Sequence, residues 1–284
     1  MGHGIFIEPV KDIEGFRECE RLQKEVWGCE DIAVVPDHAM LVMVKAGGLV
    51  LGAFAEGGGK REMVGFVLSL FGRTEEGRLY HYSYMAAVKE GLRDRGVGYK
   101  LKLAQREHVL TQGIDLIKWT FDPLESRNAH FNLNKLGGVA TRYFENYYGF
   151  LRDELNLNLP TDRFLCEWHL TSPRVKRCLE KGFQGYPEDL IRDIPVVNEV
   201  HGLEPGPLDL GLREEKLLLE IPADFSAVKR ESAELALRWR HAVREALNHY
   251  MGELRYLATG LVRSGGRSFL LLERRSLEEV LSGP

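Results

Sequence analysis

Cysteine is scarce and scattered: the 284 residues hold four, at Cys19, Cys29, Cys166 and Cys178. None forms a CxxC pair or gathers near histidines, which argues against both a disulfide framework and a zinc site. Scattered thiols of this kind fit a reducing compartment. The nine histidines show no HExxH or HxH spacing, so no metal is expected. Long apolar runs are also missing, and none approaches the roughly 20 residues that a membrane span needs. The run Met1 to Glu8 has no basic stretch followed by an apolar one, and Phe6 stands where a myristoylation signal requires Ser or Thr. Charge of one sign is lacking too: 38 basic residues face 42 acidic ones, for a net −4. Such balance gives no electrostatic reason to expect nucleic acid or an anionic membrane as partner. A cytoplasmic protein is the expectation. Neither GxGxxG nor GKS/GKT occurs, so the dinucleotide fingerprint and the Walker loop are excluded.

What is present is ordinary for a folded chain, with 44% hydrophobic and 28% charged residues. The length suits one core plus a substantial extension. Ile5 to Val10 alternates as a strand, and Asp12 to Trp27 carries apolar residues at helical spacing. Met40–Val44 and Leu49–Phe54 read as strands joined at Ala46-Gly47-Gly48, and a further turn falls at Gly57-Gly58-Gly59. Met63–Phe71 and Leu79–Val88 continue the meander. A helix from Gly96 to Gln112, a strand at Leu116–Phe121, a helix at Leu124–Leu136 and strands at Thr141–Tyr147 and Arg163–Leu170 complete a main domain, residues 1–171. The expected architecture is α/β of the α+β type: a mixed, mostly antiparallel sheet flanked by helices. Residues 172–284 form an extension with a helix near Val175–Lys181. A strand at Leu217–Ile221, an amphipathic helix at Ser232–Tyr250 and a hairpin turning at Ser264-Gly265-Gly266 follow. This strand–helix–hairpin order is either a degenerate half-copy of the main fold or a set of strands extending its sheet. No repeat is visible at the residue level.

One element carries chemistry. The strand ending Met85-Ala86-Ala87-Val88 runs into Arg93-Asp94-Arg95-Gly96-Val97-Gly98-Tyr99-Lys100, a basic, glycine-containing turn that opens a helix. Small residues allow close backbone approach, and the first helical N–H groups lack intrahelical partners. The helix dipole and the three cations favour a diphosphate there. Arg93, Gly96 and Gly98 fill the pattern [QR]-x-x-G-x-[GA] of the GNAT acyltransferase superfamily, which the chain resembles over roughly residues 5–170. Ala129, Lys135 and Gly137 match that family's downstream N-x-x-A…Y-x-K-x-G-F segment in register, while Ser126, Leu133 and Gly138 depart from it. Leu133 stands where many relatives carry a tyrosine that protonates the leaving thiolate. The run from Phe121 to Gly137, with Asn146-Tyr147-Tyr148-Gly149, resembles a GNAT subgroup with a C-terminal extension. Some of its members are associated with N-succinylation of amino acids.

The resemblance implies an acyl-CoA-dependent N-acyltransferase using acetyl-CoA or another acyl-CoA such as succinyl-CoA, with no metal. Met85 to Val88, Arg93 to Lys100, Asn128, Asn132 and Lys135 are the candidate cofactor contacts. An amine attacking a thioester must lose a proton, and the oxyanion and thiolate must be stabilised. Candidate bases are His81, Glu167 and His169, with Ser83 alongside; candidate acids are Tyr143, Tyr147 and Tyr148. A backbone N–H near Ala87 or Val88 would serve the oxyanion. The region of Trp27, Asp31 and Asp37 would edge the acceptor groove, with Arg73 or Arg142 available for a carboxylate. The acceptor reading is a small amine, plausibly an amino acid. A protein N-terminus or lysine is the alternative acceptor, and a non-catalytic acyl-CoA-binding module the alternative class. A homodimer is compatible with all three.

Overall fold

The computed structural model describes residues 4–28, 30–57, 60–149, 159–183, 185–186 and 192–283. Cys29 and the centre of the expected Gly57–Gly59 turn lie outside them. The chain forms two compact units, divided along the sequence between Trp119 and Thr120.

The first unit contains β1 (Ile5–Pro9), α1 (Ile13–Trp27), α2 (Asp37–Lys45), β2 (Leu49–Gly57), β3 (Lys60–Arg73), β4 (Leu79–Val88), α3 (Val97–Thr111) and most of β5 (Leu116–Phe121). Its strands lie in the order β1-β2-β3-β4-β5, antiparallel except for the parallel β4–β5 pair. Strand alternation divides the apolar residues between two faces. Val50, Phe66 and Leu68 pack with Phe16, Cys19 and Leu22 of α1 and Met40 of α2. Leu49, Leu51, Val64 and Val67 pack with Val97 and Leu101 of α3. Full burial of a side chain of Phe or Leu size is worth about 1.5–3 kcal/mol, so Phe16 and Leu22 largely fix α1 on its face.

Helix α2 corrects the strand expected at Met40–Val44. A short apolar run has no decisive period, and Ala39, Met40, Leu41 and Met43 favour helix. Asp37 lies in the first turn, where its charge suits the dipole. The glycines that suggested a hairpin instead stop the helix: Gly47 has φ 95°, Gly47 N bonds Val44 O at 3.1 Å and Gly48 N bonds Met43 O at 2.8 Å. That is a Schellman closure.

The second unit contains α4 (Ser126–Ala129) running into a π-helical turn at His130–Lys135, then β6 (Val139–Phe144), β7 (Arg163–His169) and α5 (Pro173–Lys181). A small hairpin, β8 (Asn198–His201) and β9 (Glu204–Leu208), precedes β10 (Lys216–Ile221). Then come α6 (Phe225–Glu231), α7 (Ala233–Leu247), a second π turn at Asn248–Glu253, β11 (Leu257–Ser264), β12 (Arg267–Glu273) and α8 (Leu277–Ser282). The strand order is β7-β6-β11-β12-β10, with antiparallel neighbours. The helices expected at Leu124–Leu136 and Ser232–Tyr250 thus both widen into π turns at their ends. Periodicity does not register β8, β9, α6 and α8, which are too short. Both units are mostly antiparallel sheets flanked by helices, as the sequence led one to expect.

Two carboxylates anchor the second unit. Asp122 receives both Nη atoms of Arg240, one at 2.8 Å, with Arg163 at 3.6 Å. Asp162 receives Arg244 at 2.7 and 3.0 Å, the Tyr143 hydroxyl and the Asn146 N–H. Arg240 and Arg244 are therefore internal ties. Burial would raise the Asp122 pKa, but the Arg240 charge and its hydrogen bonds outweigh it and hold the carboxyl below its ordinary 3.8. A depressed folded-state value means that this contribution is complete above the unfolded value and is lost as pH falls through the folded one. We expect Asp122→Ala to cost about 3–5 kcal/mol in urea melts at neutral pH, because it strands the buried Arg240 charge. The deficit should shrink as the native protein is brought below pH 3.8.

Candidate functional site

The first unit contains a place where its sheet opens. β4 pairs with β3 along its whole length, from Leu79↔Arg73 to Val88↔Gly65. With β5 it pairs only at His81↔Ile117 and Tyr82↔Lys118. Beyond Tyr82 the β5-facing backbone of β4 has no ladder partner among the described pairings. One extra residue, Tyr84, is inserted between Ser83↔Ser69 and Met85↔Leu68. A bulge reverses which face each following side chain takes. Accordingly His81 and Ser83 reach toward α3, while Met85 and Ala87 pack with the α1–α2 cluster. Tyr84 is 42% exposed.

The strand leads into a loop that leaves a helix N-terminus uncapped. Lys89 N bonds Val64 O at 2.9 Å and a 3-10 turn follows at Glu90–Leu92. Asp94 and Gly96 both have positive φ, 61° and 80°. That sharp turn aims the N-terminus of α3 outward. No side chain caps this helix, and its first turn holds no acidic residue. Lys100 N bonds Gly96 O, so the N–H groups of Val97, Gly98 and Tyr99 have no intrahelical acceptor. Arg93, Arg95 and Lys100 are exposed around them. Lys89 is neutralised by Glu25 and Glu62 at 3.2 and 2.5 Å, which leaves the positive charge with the loop and helix.

The glycines separate fold from function. Gly96 needs its left-handed backbone. Gly98 does not: its φ is ordinary, and an added Cβ would meet only Val88 Cγ2 at 3.9 Å. Neither conformation nor packing demands glycine there, so its smallness leaves space over the helix N-terminus. Together with the open β4 edge from Tyr84 to Val88, this fits a diphosphate joined to an extended arm that pairs with strand backbone.

The remaining candidates are placed as follows. His81 is fully buried, with Nδ1 2.9 Å from Ser69 Oγ and Nε2 2.6 Å from Gln112 Oε1. Both nitrogens are engaged, and burial lowers its pKa below 6.5 against the opposing Gln112 bond. His81 is therefore a structural link between β3, β4 and α3 and has no free lone pair for a proton. In the second unit, Glu167 Oε2 lies 3.1 Å from His169 Nε2. Tyr143 gives its hydroxyl to Asp162, and burial together with that carboxylate drives its pKa well above 10. Tyr143 is thus tied down and poorly suited to give up a proton. Tyr148 is 39% exposed with its hydroxyl 2.9 Å from Thr120 Oγ1, and Tyr147 is exposed beside it. Asn128 and Lys135 are exposed, whereas Asn132 is buried. Asp31 pairs with Lys24 at 2.7 Å, Asp37 with Arg17 at 3.3 Å, and Trp27 packs edge-on against Phe66. Arg142 is exposed.

Two groups were not anticipated. Lys102 of α3 is buried, with Nζ 3.1 Å from Ser83 Oγ, 2.7 Å from Gln105 Oε1 and 3.9 Å from the Trp119 ring centre. Gln105 Nε2, also buried, has no hydrogen-bond partner. On the opposite face Tyr80 and Tyr82 stand beside Lys118, whose Nζ is 5.1 Å from the Tyr80 ring centre. The alternation Tyr80-His81-Tyr82-Ser83-Tyr84 was the available signal: a strand with no aliphatic face.

No protein-family model matches the chain, and no curated protein matches it. Solved structures do resemble it in backbone. The NatC complex bound to Gag peptide and CoA is 18% identical, with 59% of this chain and 99% of that one covered at a TM-score of 0.45. An acetyltransferase of the GNAT family from Streptococcus pneumoniae is 14% identical, with 58% and 98% covered at 0.46. The ribosomal-protein-S18-alanine N-acetyltransferase from Escherichia coli is 10% identical, with 59% and 94% covered at 0.43.

The His81 assignment has a stability signature. A depressed folded-state pKa means that the neutral ring's contribution is complete above the unfolded value of 6.5 and is lost as pH falls through the folded one. We expect thermal stability to decline below pH 6.5. His81→Ala should flatten that decline and cost about 1–3 kcal/mol at neutral pH by stranding Ser69 and Gln112. A pH dependence unchanged in the variant would refute the assignment.

Proposed function

We propose that the chain is an acyl-CoA-dependent N-acyltransferase of the GNAT type. The observation that carries this reading is the pairing of an open β4 edge with an uncapped, cation-ringed helix N-terminus at which Gly98 serves no structural need. Acyl-CoA, when bound, supplies an activated thioester. The N–H groups of Val97, Gly98 and Tyr99, with Arg93, Arg95 and Lys100, would hold its diphosphate. The backbone of Met85 to Val88 would align its arm, and an N–H near Ala87 or Val88 would donate to the developing oxyanion. Asn128, Asn132 and Lys135 are proposed as further contacts.

In the transfer, the acceptor amine forms a C–N bond as the C–S bond breaks. One proton leaves the nitrogen and one is given to the sulfur. With His81 engaged on both nitrogens, Glu167, paired with His169, is the favoured base. With Tyr143 tied to Asp162, Tyr148 is the favoured acid. The acyl group is acetyl or succinyl and the acceptor a small amine of the amino-acid class; a protein N-terminus or lysine is the competing acceptor. Reduced, scattered thiols favour a cytoplasmic setting.

The deciding measurement is calorimetric titration with acetyl-CoA, succinyl-CoA and CoA, followed by thiol release with a panel of amines and amino acids. Binding with release on one acceptor class is expected. Binding without release on any amine or peptide would leave a binding module, and no binding would overturn the proposal. Gly98→Glu gives a sharper check, because a first-turn carboxylate suits the helix itself. CoA affinity should fall by more than about tenfold while thermal stability holds.

A further inference from the structure

The second unit contains a repeat that the sequence conceals. Adding 118 to a residue number carries residues 130–144 onto residues 248–262 without a gap. The π turn His130–Lys135 falls on the π turn Asn248–Glu253. Its closing bonds recur: Leu136 N to Phe131 O and Leu254 N to His249 O, both at 3.0 Å. So do Gly138 N to Asn132 O and Tyr256 N to Tyr250 O, both at 2.9 Å. The next residue is left-handed in each stretch, Gly137 at φ 75° and Arg255 at φ 62°. Val139-Ala140-Thr141 and Leu257-Ala258-Thr259 then open their strands. Each strand skips one residue against its partner at the threonine, between Ala140 and Arg142 and between Ala258 and Gly260. In both stretches the threonine hydroxyl is buried without a hydrogen-bond partner. The partner strands agree as well: Val139 pairs with Glu167, and Leu257 with Glu273.

The two copies meet at equivalent residues. β6 and β11 pair antiparallel at Ala140↔Ala258, which are 118 apart. Val139 and Leu257, also equivalent, share one apolar cluster with Val280. A residue that contacts its own counterpart marks a two-fold axis, the geometry of an isologous interface between identical subunits. Here both halves belong to one chain. The outer strand β10 is covered in turn: Val197 N bonds Leu218 O at 2.7 Å and Leu218 N bonds Pro195 O at 2.9 Å.

We propose that residues 248–262, with the partner strand ending at Glu273, are a second copy of residues 130–144, with the partner strand running to Glu167, and that this copy acts in cis as the partner subunit. In this arrangement the β6 edge is closed internally and the protein works as a monomer. An open β6 would present unpaired N–H and C=O groups that invite another chain. The second copy supplies that partner permanently. This departs from the homodimer that the sequence left open, and it is independent of the acyltransferase reading.

The symmetry is broken at one informative position. Asn134 accepts from Leu261 N at 2.9 Å and donates to Leu261 O at 2.7 Å, so its amide extends the seam by one rung. The counterpart of Asn134 is Gly252, and that of Leu261 is Tyr143. Nothing lies within 4 Å of a Cβ built at Gly252. An asparagine there should reach the backbone of Tyr143 and add the missing rung.

The test compares Gly252→Asn with Gly252→Ala by thermal melting, alongside light scattering of the unmodified chain over a wide concentration range. Alanine is the better helix former, so propensity alone favours Gly252→Ala. The proposal expects the reverse, with Gly252→Asn melting about 2–4 °C above Gly252→Ala. It also expects scattering to give the mass of one chain throughout. Gly252→Ala melting at or above Gly252→Asn would remove the two-fold seam, and a stable dimer would remove the cis-partner role.

Discussion

β4 touches β5 at two positions, His81↔Ile117 and Tyr82↔Lys118, and then continues without it. The chemistry proposed for the first unit depends on that parting. A strand released from one neighbour keeps a row of backbone donors and acceptors that a ligand can use. The extra residue at Tyr84 falls just where the contact ends, and a bulge adds local twist. It also changes the faces, so that Ser83 is directed to α3 while Met85 and Ala87 close the α1–α2 core. The strand can therefore be anchored below by a buried polar cluster and above by an apolar one. The loop beyond Val88 then needs two left-handed residues, Asp94 and Gly96, to point α3 back at the opening.

The second unit is organised differently. Its stability rests on charged groups that would be costly to bury singly. Asp122 and Asp162 each take a two-pronged arginine from α7, and Asp162 also holds Tyr143 and the turn at Asn146. Asp162 lies in the first copy and Asp122 shortly before it, so these pairs tie the helix that leads into the second copy to the first, beyond the short β6–β11 contact. Arg174 adds another tie, with Nη2 reaching Leu133 O at 3.2 Å and Thr259 O at 2.5 Å. Carbonyl groups at the π turn and the bulge find a donor in this way.

Much of this was legible one element at a time. β4, β5 and the hairpin at Gly265-Gly266 follow from alternation and turn chemistry. α1 follows from its apolar spacing and the Asp12 cap. The glycine turn before α3 was legible because backbone requirements are written in residue type, as at Gly96. The run Met40–Val44 misled, since five apolar residues in a row have no phase. The catalytic side chains misled for another reason. His81 and Tyr143 are suitable residue types on suitable strands, yet whether a ring nitrogen or hydroxyl is free depends on Ser69, Gln112 and Asp162, which lie far along the chain.

Sequence by itself therefore determined the local items: most of the long helices and strands, where glycine permits a left-handed turn, and where cations gather before a helix. Tertiary structure alone decided where β4 leaves β5, which faces the Tyr84 bulge exchanges, and that β11 lies against β6 as its counterpart. The physical reason is that backbone geometry tolerates almost any side chain of compatible size. Two copies can share their hydrogen bonds while keeping hardly more than Leu136, Ala140, Thr141 and Glu167 in common with Leu254, Ala258, Thr259 and Glu273.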